Sequence, residues 1–284
     1  MTITNTVSGD GGVIKNGGSP LILTGPTTYT GDTTINGTSS IRLVAPADLS
    51  GSTNIVINAT GFLTVTGMTS GTFPLVSGHT LRGNGVLNGL LNAQAGSTLS
   101  PAVTPGVSPV GRLTVSNSVT LAGTTIMQID PVNHTNDTLL TLTTIAYGGN
   151  LSLTNITSPL TNGSTFKLFY AASYSGSFAS ITPASPGPGL AWVKSALTTT
   201  GTISVGPLPQ PKFNLVRLIP GVGVVASGTN GTAGGQYIVL ATNDIAAPVT
   251  NWPAIQTNTF DGSGNFSITN TTGQARQFYI ILPQ

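Results

Sequence analysis

Cysteine is absent from this chain, which rules out disulfides, thiolate metal sites and cysteine nucleophiles. Glutamate is absent too, and all 7 acidic residues are aspartate. Only 6% of residues are charged, against about 25% in ordinary soluble domains. Polar helix formers are therefore scarce, and no long amphipathic helix can be drawn. No apolar run approaches the ~18 residues that would read as a bilayer-spanning helix, so no membrane-spanning segment is expected. The 9 Lys and Arg residues are scattered, giving a net charge of +2 and no basic run, so no nucleic-acid partner is expected.

What fills the chain instead is Thr, Gly, Asn, Ser and Val, a mixture that favours strands joined by uncharged turns. A hydrophobic content of 38% is enough to bury a core, which argues against disorder despite the low charge. Up to about residue 205 short runs recur, among them SPLILTG, NIVINATG, FLTVTG and GRLTVSNS. Alternation such as L-T-V-T puts every second side chain on one face, and Gly or Asn follows almost every run. The repeat has no fixed period, as in an irregular β-solenoid whose loops vary while its strands stay in register. At residues 206–211 the sequence GPLPQP reads as an extended, semi-rigid linker. Beyond it, FNLVRLI, VGVVASG, QYIVLATN, WPAIQTNTF, NFSITN and RQFYIIL make six candidate strands at the spacing of a small sandwich. The predicted organisation is all-β: a solenoid over residues 1–205, a linker over 206–211 and a small antiparallel β-sandwich over 212–284.

The segment LTGPTTYTGDTTINGT (residues 23–38) resembles the autotransporter-associated β-strand repeat. Leu23, Thr24, Gly25, Thr28, Tyr29, Thr30, Gly31, Thr33, Thr34, Ile35 and Gly37 fit its pattern, whereas Pro26 and Thr27 depart from it. Residues 85–101 (GVLNGLLNAQAGSTLSP) are similar to a passage that often follows in such proteins, and residues 166–192 to the end of their passenger domains. The tail is similar to a C-terminal β-module of large bacterial surface proteins of verrucomicrobial type. The resemblance implies a right-handed parallel β-helix and an extracellular or cell-surface location. It also implies that residues 1–12, which carry no basic and apolar leader, start a mature or recombinant piece rather than a cytoplasmic protein. No translocator barrel with long amphipathic strands follows, so a complete autotransporter is not expected.

Candidate chemistry is sparse. His134 lies near Asp130 and Asp137, but the spacing matches no common metal-ligand pattern, and the three read as solvated loop residues. DGSGN (residues 261–265) begins like a calcium loop but lacks the distal carboxylate, and reads as a hairpin turn. GTNGTAGG (residues 228–235) has no following Lys-Ser or Lys-Thr and is no phosphate loop. Asp10, Asp32, Asp48, Asp130 and Asp137 are far apart, and a lyase or hydrolase needs clustered acids. Sequons such as those at Asn36, Asn58, Asn155 and Asn270 read as turns or as side chains stacked in ladders. The aromatics Tyr29, Phe62, Phe73, Phe166, Phe169, Tyr170, Tyr174, Phe178 and Trp192 read as core or end-cap residues rather than a sugar-binding strip.

No catalytic, cofactor-binding or metal residue is assigned, and no cofactor is expected. The expected function is that of a non-enzymatic, secreted structural or adhesive element. Its partners would be other copies of itself, joined into a fibre through β-edges or strand donation, with surface glycans as a further possibility. About nine rungs spaced by about 4.8 Å would leave unpaired backbone at both ends. MTITNTV and RQFYIIL alternate like donor strands, and the N-terminal one is expected to pair with another subunit. The rival expectation is a carbohydrate-binding or carbohydrate-cleaving β-helix, and a phage or virion fibre component is a third.

Overall fold

The computed structural model describes residues 1–103, 110–271 and 277–284. It packs as two compact units, Met1–Gly206 and Pro207–Gln284. The last strand of the first unit, Thr202–Pro207, takes in the first two residues of the Pro-rich stretch. A proline at a strand terminus removes no interior ladder bond, so the strand runs on to it.

The first unit is a parallel β-solenoid. One sheet climbs through eight strands from Thr2–Ile3 to Phe169–Tyr170. A second climbs from Val13–Lys15 to Ser180–Thr182. A third, of 5 strands, begins at Thr72–Leu75 and ends at Ser173–Gly176. Below Thr72 the third side includes an isolated parallel bridge between Val7 and Thr27, made by Val7 N–H to the Pro26 carbonyl (2.9 Å) and Thr28 N–H to the Val7 carbonyl (2.8 Å). The first sheet is thus eight strands high, one short of the expected nine.

Inward side chains stack coil on coil. Leu21, Ile41, Leu63 and Leu87 form one column. Ile55, Leu81 and Leu99 form a second, and Phe73, Leu91, Val119 and Ile145 a third. Apart from Leu21, at 8% exposed, all of these are 2% exposed or less, so the alternation visible in the sequence is the core pattern. Residues 23–38 show why the repeat has its composition. Leu23, Tyr29 and Ile35 point into the core. The Tyr29 and Thr33 hydroxyls are bonded at 2.6 Å, and Thr33 donates to Ser52 Oγ at 2.9 Å, which satisfies buried polar atoms across two coils. At Gly25 a methyl group would run into the Thr4 and Asn5 carbonyl oxygens of the coil below. Of the asparagines read as turn or ladder residues, Asn36 and Asn58 stack: Asn36 Nδ2 donates to Asn16 Oδ1 (2.9 Å) and Asn58 Nδ2 to Asn36 Oδ1 (2.6 Å), whereas Asn155 donates to the Ser158 carbonyl and Asn270 to Tyr279 Oη.

The coils vary in length, with a short one in mid-chain, where eighteen residues separate Thr80 from Thr98. Twenty residues separate Leu21 from its neighbour Ile41, whereas thirty separate Leu139 from Phe169. At the last coils aromatic rings take over from aliphatic side chains. Tyr147 lies 5.1 Å from Phe169, 4.7 Å from Phe178 and 6.0 Å from Tyr174.

The two ends of this unit differ in part: one strand of the last coil is covered, while Ser173–Gly176 and Ser180–Thr182 end their sheets as the expectation of unpaired backbone has it. On its Phe169–Tyr170 side the last coil meets a three-stranded sheet (Thr165–Lys167, Thr202–Pro207, Leu190–Val193), whose first two strands are antiparallel, and the helical turn Leu197–Thr200. The Gly201 carbonyl accepts from Leu168 N–H (3.0 Å) and Phe169 N–H (3.1 Å), and Tyr147 Oη donates to the Leu197 carbonyl (3.1 Å). The first coil lies at the edge of both its sheets. The Thr2–Ile3 strand pairs in parallel with Leu21–Leu23 of its own chain, so MTITNTV is a coil of the solenoid rather than a free donor.

The second unit is a small sandwich of two antiparallel sheets. One is ordered Lys212–Ile219, Gly223–Thr229, Phe266–Asn270, and the other Ala254–Thr259, Gln236–Thr242, Phe278–Pro283. Ala226, Phe266 and Ile268 from one sheet meet Tyr237 and Val239 from the other, with Phe260 between them. All six candidate strands form; Arg276, the first residue of the RQFYIIL candidate, lies outside the described residues. DGSGN makes a tight turn, with Gly264 N–H bonded to the Asp261 carbonyl at 3.0 Å. It is not a hairpin, because Ala254–Thr259 and Phe266–Asn270 belong to different sheets. Turn residues fix where the chain reverses, and the strands' buried faces fix which sheet each joins.

Candidate functional site

The histidine and aspartates of DPVNHTND do not converge. Asp130 Oδ1 accepts from the Val132 and Asn133 N–H groups (3.1 and 3.0 Å) and from Thr157 Oγ1 (2.8 Å), and its Oδ2 from Asn133 Nδ2 (2.7 Å). These donors, led by the Asn133 side chain, hold the carboxyl below the usual carboxylate range. The Asp137 carboxylate is buried and turned inward, accepting Gly111 N–H at 2.6 Å and Gln128 N–H at 2.9 Å. Burial pushes its pKa up to about 6, against the opposite pull of those two donors. Among the described residues no group of three or more His, Cys, Asp or Glu could hold a metal ion. Asp261 is likewise committed to its own turn, accepting from Ser263 N–H and Asn265 N–H at 2.8 Å each.

Coiling does bring together residues that the sequence scatters. Arg112, His134, Asn136, Thr138, Lys167 and Tyr170 line one shallow groove of about 460 Å³. The Lys167 ammonium sits 4.3 Å from the centre of the Tyr170 ring and the Arg112 guanidinium 5.9 Å from it. Arg112 Nε also donates to Thr138 Oγ1 at 3.2 Å. Among the described residues no carboxylate lines this groove. The register explains the gathering: Arg112 lies beside Thr138, and Leu140 beside Tyr170. The cations scattered along the chain thus include one pair, Arg112 and Lys167, that coiling brings to a single ring.

The second unit carries a surface of another kind. Among the described residues the Lys212–Ile219 strand pairs only with Gly223–Thr229, so its outer backbone edge faces no described strand. Its apolar side chains are exposed on both faces: Leu215 by 46%, Val216 by 57% and Leu218 by 71%. Phe213, 38% exposed, also sets its ring edge-on against Phe266 at 5.3 Å. A long apolar edge strand is ordinarily blunted by charge, proline, a bulge or a covering element; here Lys212 and Arg217 are its only charges, and the register shifts once, between Phe213 and Leu215. Sequence reading missed this surface. Apolar residues on both faces read as a buried central strand, and nothing in the pattern marks a strand as an edge.

Comparison with protein-family models and with curated proteins found no match, so what is established of the likeness to autotransporter-type repeats is its β-helix architecture.

Proposed function

We propose that this chain is a non-enzymatic structural or adhesive element of the extracellular space or cell surface, which joins copies of itself through β-edges. The observation that carries this reading is the Lys212–Ile219 strand, with its open backbone edge and exposed Leu215, Val216 and Leu218. An edge of that kind takes up another strand by main-chain hydrogen bonding, and apolar side chains on both faces add burial to the contact. The columns of stacked side chains in the first unit suit a rigid spacer. The polar groups of Asp130, Asp137 and Asp261 are spent on holding loops, which fits a role without catalysis. Sedimentation velocity over a wide concentration range, with electron microscopy of the same samples, tests the reading. Association that grows with concentration is expected, and monomers throughout would overturn it.

The Tyr170 groove favours a second reading, a carbohydrate-binding β-helix. An aromatic ring flanked by Arg112 and Lys167, with Thr138 and Asn136 alongside, offers cations and hydrogen-bonding groups to an acidic sugar. A glycan array probed with the intact chain and with an Arg112→Ala/Lys167→Ala variant separates the readings. Defined binding that the variant loses would promote the second.

A further inference from the structure

We infer that the Lys212–Ile219 strand pairs with the same strand of a second copy, antiparallel and about a two-fold axis, so that the three-stranded sheet continues across the junction into a six-stranded one. This rests on the self-association proposed above and names its partner and symmetry. The backbone sets the class of partner. A row of outward N–H and C=O groups on an edge strand is satisfied by another strand. The side chains then select a second copy in antiparallel alignment.

In a regular two-fold antiparallel pair, the residue on the axis faces itself and its neighbours face each other in reverse order. An axis at Val216 sets Leu215 against Arg217 of the second copy and Leu218 against Asn214. An axis at Leu215 sets Val216 against Asn214 and Arg217 against Phe213, pairs that run across the register shift between Phe213 and Leu215 and so fit less regularly than those about Val216. In neither arrangement does a cation oppose a cation directly, whereas an axis at Arg217 would bring two guanidinium groups together. Charge therefore centres the pair on Leu215 or Val216, the middle of the strand. Both arrangements also bury Leu215, Val216 and Leu218, three of the most exposed apolar side chains of this unit. A parallel pair in matching register would instead stack Lys212 on Lys212 and Arg217 on Arg217. An isologous contact of this kind closes on itself, so this edge yields dimers and not an open filament.

The absence of cysteine gives a clean test. Single variants Leu215→Cys and Val216→Cys of the full chain are oxidised gently and run without reductant. The variant on the axis is expected to form a disulfide-linked dimer and the other to stay largely unlinked. In parallel, a Leu215→Lys/Leu218→Lys variant is compared with the unsubstituted chain by sedimentation. Both positions are exposed, so the fold is kept, and dimer affinity is expected to fall by about tenfold or more. No cross-link in either cysteine variant, or association unchanged by the lysines, would overturn the two-fold pairing while leaving self-association standing. An unsubstituted chain that is monomeric at every concentration would overturn both.

Discussion

The two units solve the same problem, holding strands together with almost no charge, and they leave very different remainders. In the two tall sheets of the solenoid every strand between the first and last coils has a neighbour on each side, and the core from Leu21 to Leu153 is a set of mainly aliphatic columns that takes in Tyr29, Phe73 and Tyr147. In the sandwich four of six strands are edges, and the core reduces to a few residues grouped around Tyr237, Phe260 and Phe266. Stacking consumes edges, whereas facing two short sheets creates them. That difference places the exposed Lys212–Ile219 strand in the second unit and the broad, quiet walls in the first.

The contrast predicts that the units fail separately. Leu63→Ala empties a site with the side chain fully buried, and Phe266→Ala removes the ring that meets both Tyr237 and Phe260. Each should cost about 3–5 kcal/mol. In calorimetry Leu63→Ala should lower only the solenoid transition and Phe266→Ala only the sandwich transition. A common shift of both would break the comparison.

A smaller effect sharpens it. Asp137 has its pKa raised by burial to about 6, above the ordinary value of 3.8 that it regains on unfolding. Its protonated form therefore favours the folded state, and stability is lost as the pH rises from about 4 through about 6, by about 3 kcal/mol in all. Asp261 in the sandwich is shifted the other way, by its Asn265 and Ser263 donors, so its contribution is lost only as the pH falls below its ordinary value. Between pH 4 and 6 the solenoid melting temperature should fall while that of the sandwich holds. Asp137→Asn, which cannot ionise, should flatten the solenoid slope; a slope that survives the substitution would assign it elsewhere.

The smallest expected effect belongs to the polar ladder. Asn36→Ala breaks the bonds to Asn16 and Asn58 on a partly solvated wall and should cost about 1–2 kcal/mol by thermal unfolding. The sandwich, with no such ladder among its described residues, should be unaffected.

What the sequence discloses follows the range of the interaction. Local alternation locates Leu23, Tyr29, Ile35, Leu63 and Val65 in the core, because inward and outward positions differ by one residue. Asn36 and Asn58 recur one coil apart as turn or ladder candidates, so their stacking is partly legible, whereas Asn16, which begins no sequon, is not picked out. The three-stranded sheet beside the last coil is not legible, because Thr165–Lys167 and Thr202–Pro207 meet only after the whole last coil intervenes. The Tyr170 groove is hidden for a related reason: Arg112, His134 and Lys167 become neighbours through coil lengths that follow no fixed period. DGSGN misleads in a third way, since a tight turn looks the same whether its arms pair or part to opposite sheets.

The coils differ in length: eighteen residues separate Thr80 from Thr98, twenty Leu21 from Ile41, twenty-six Thr124 from Asn150 and thirty Leu139 from Phe169. A level copied beside one of unequal length would meet a floor and ceiling cut for a different perimeter, and near the last coils aliphatic filling where rings are needed. Duplication can therefore extend this stack most readily where neighbouring levels match, as the first two do at twenty residues each and the pair from Thr98 to Asn150 does at twenty-six.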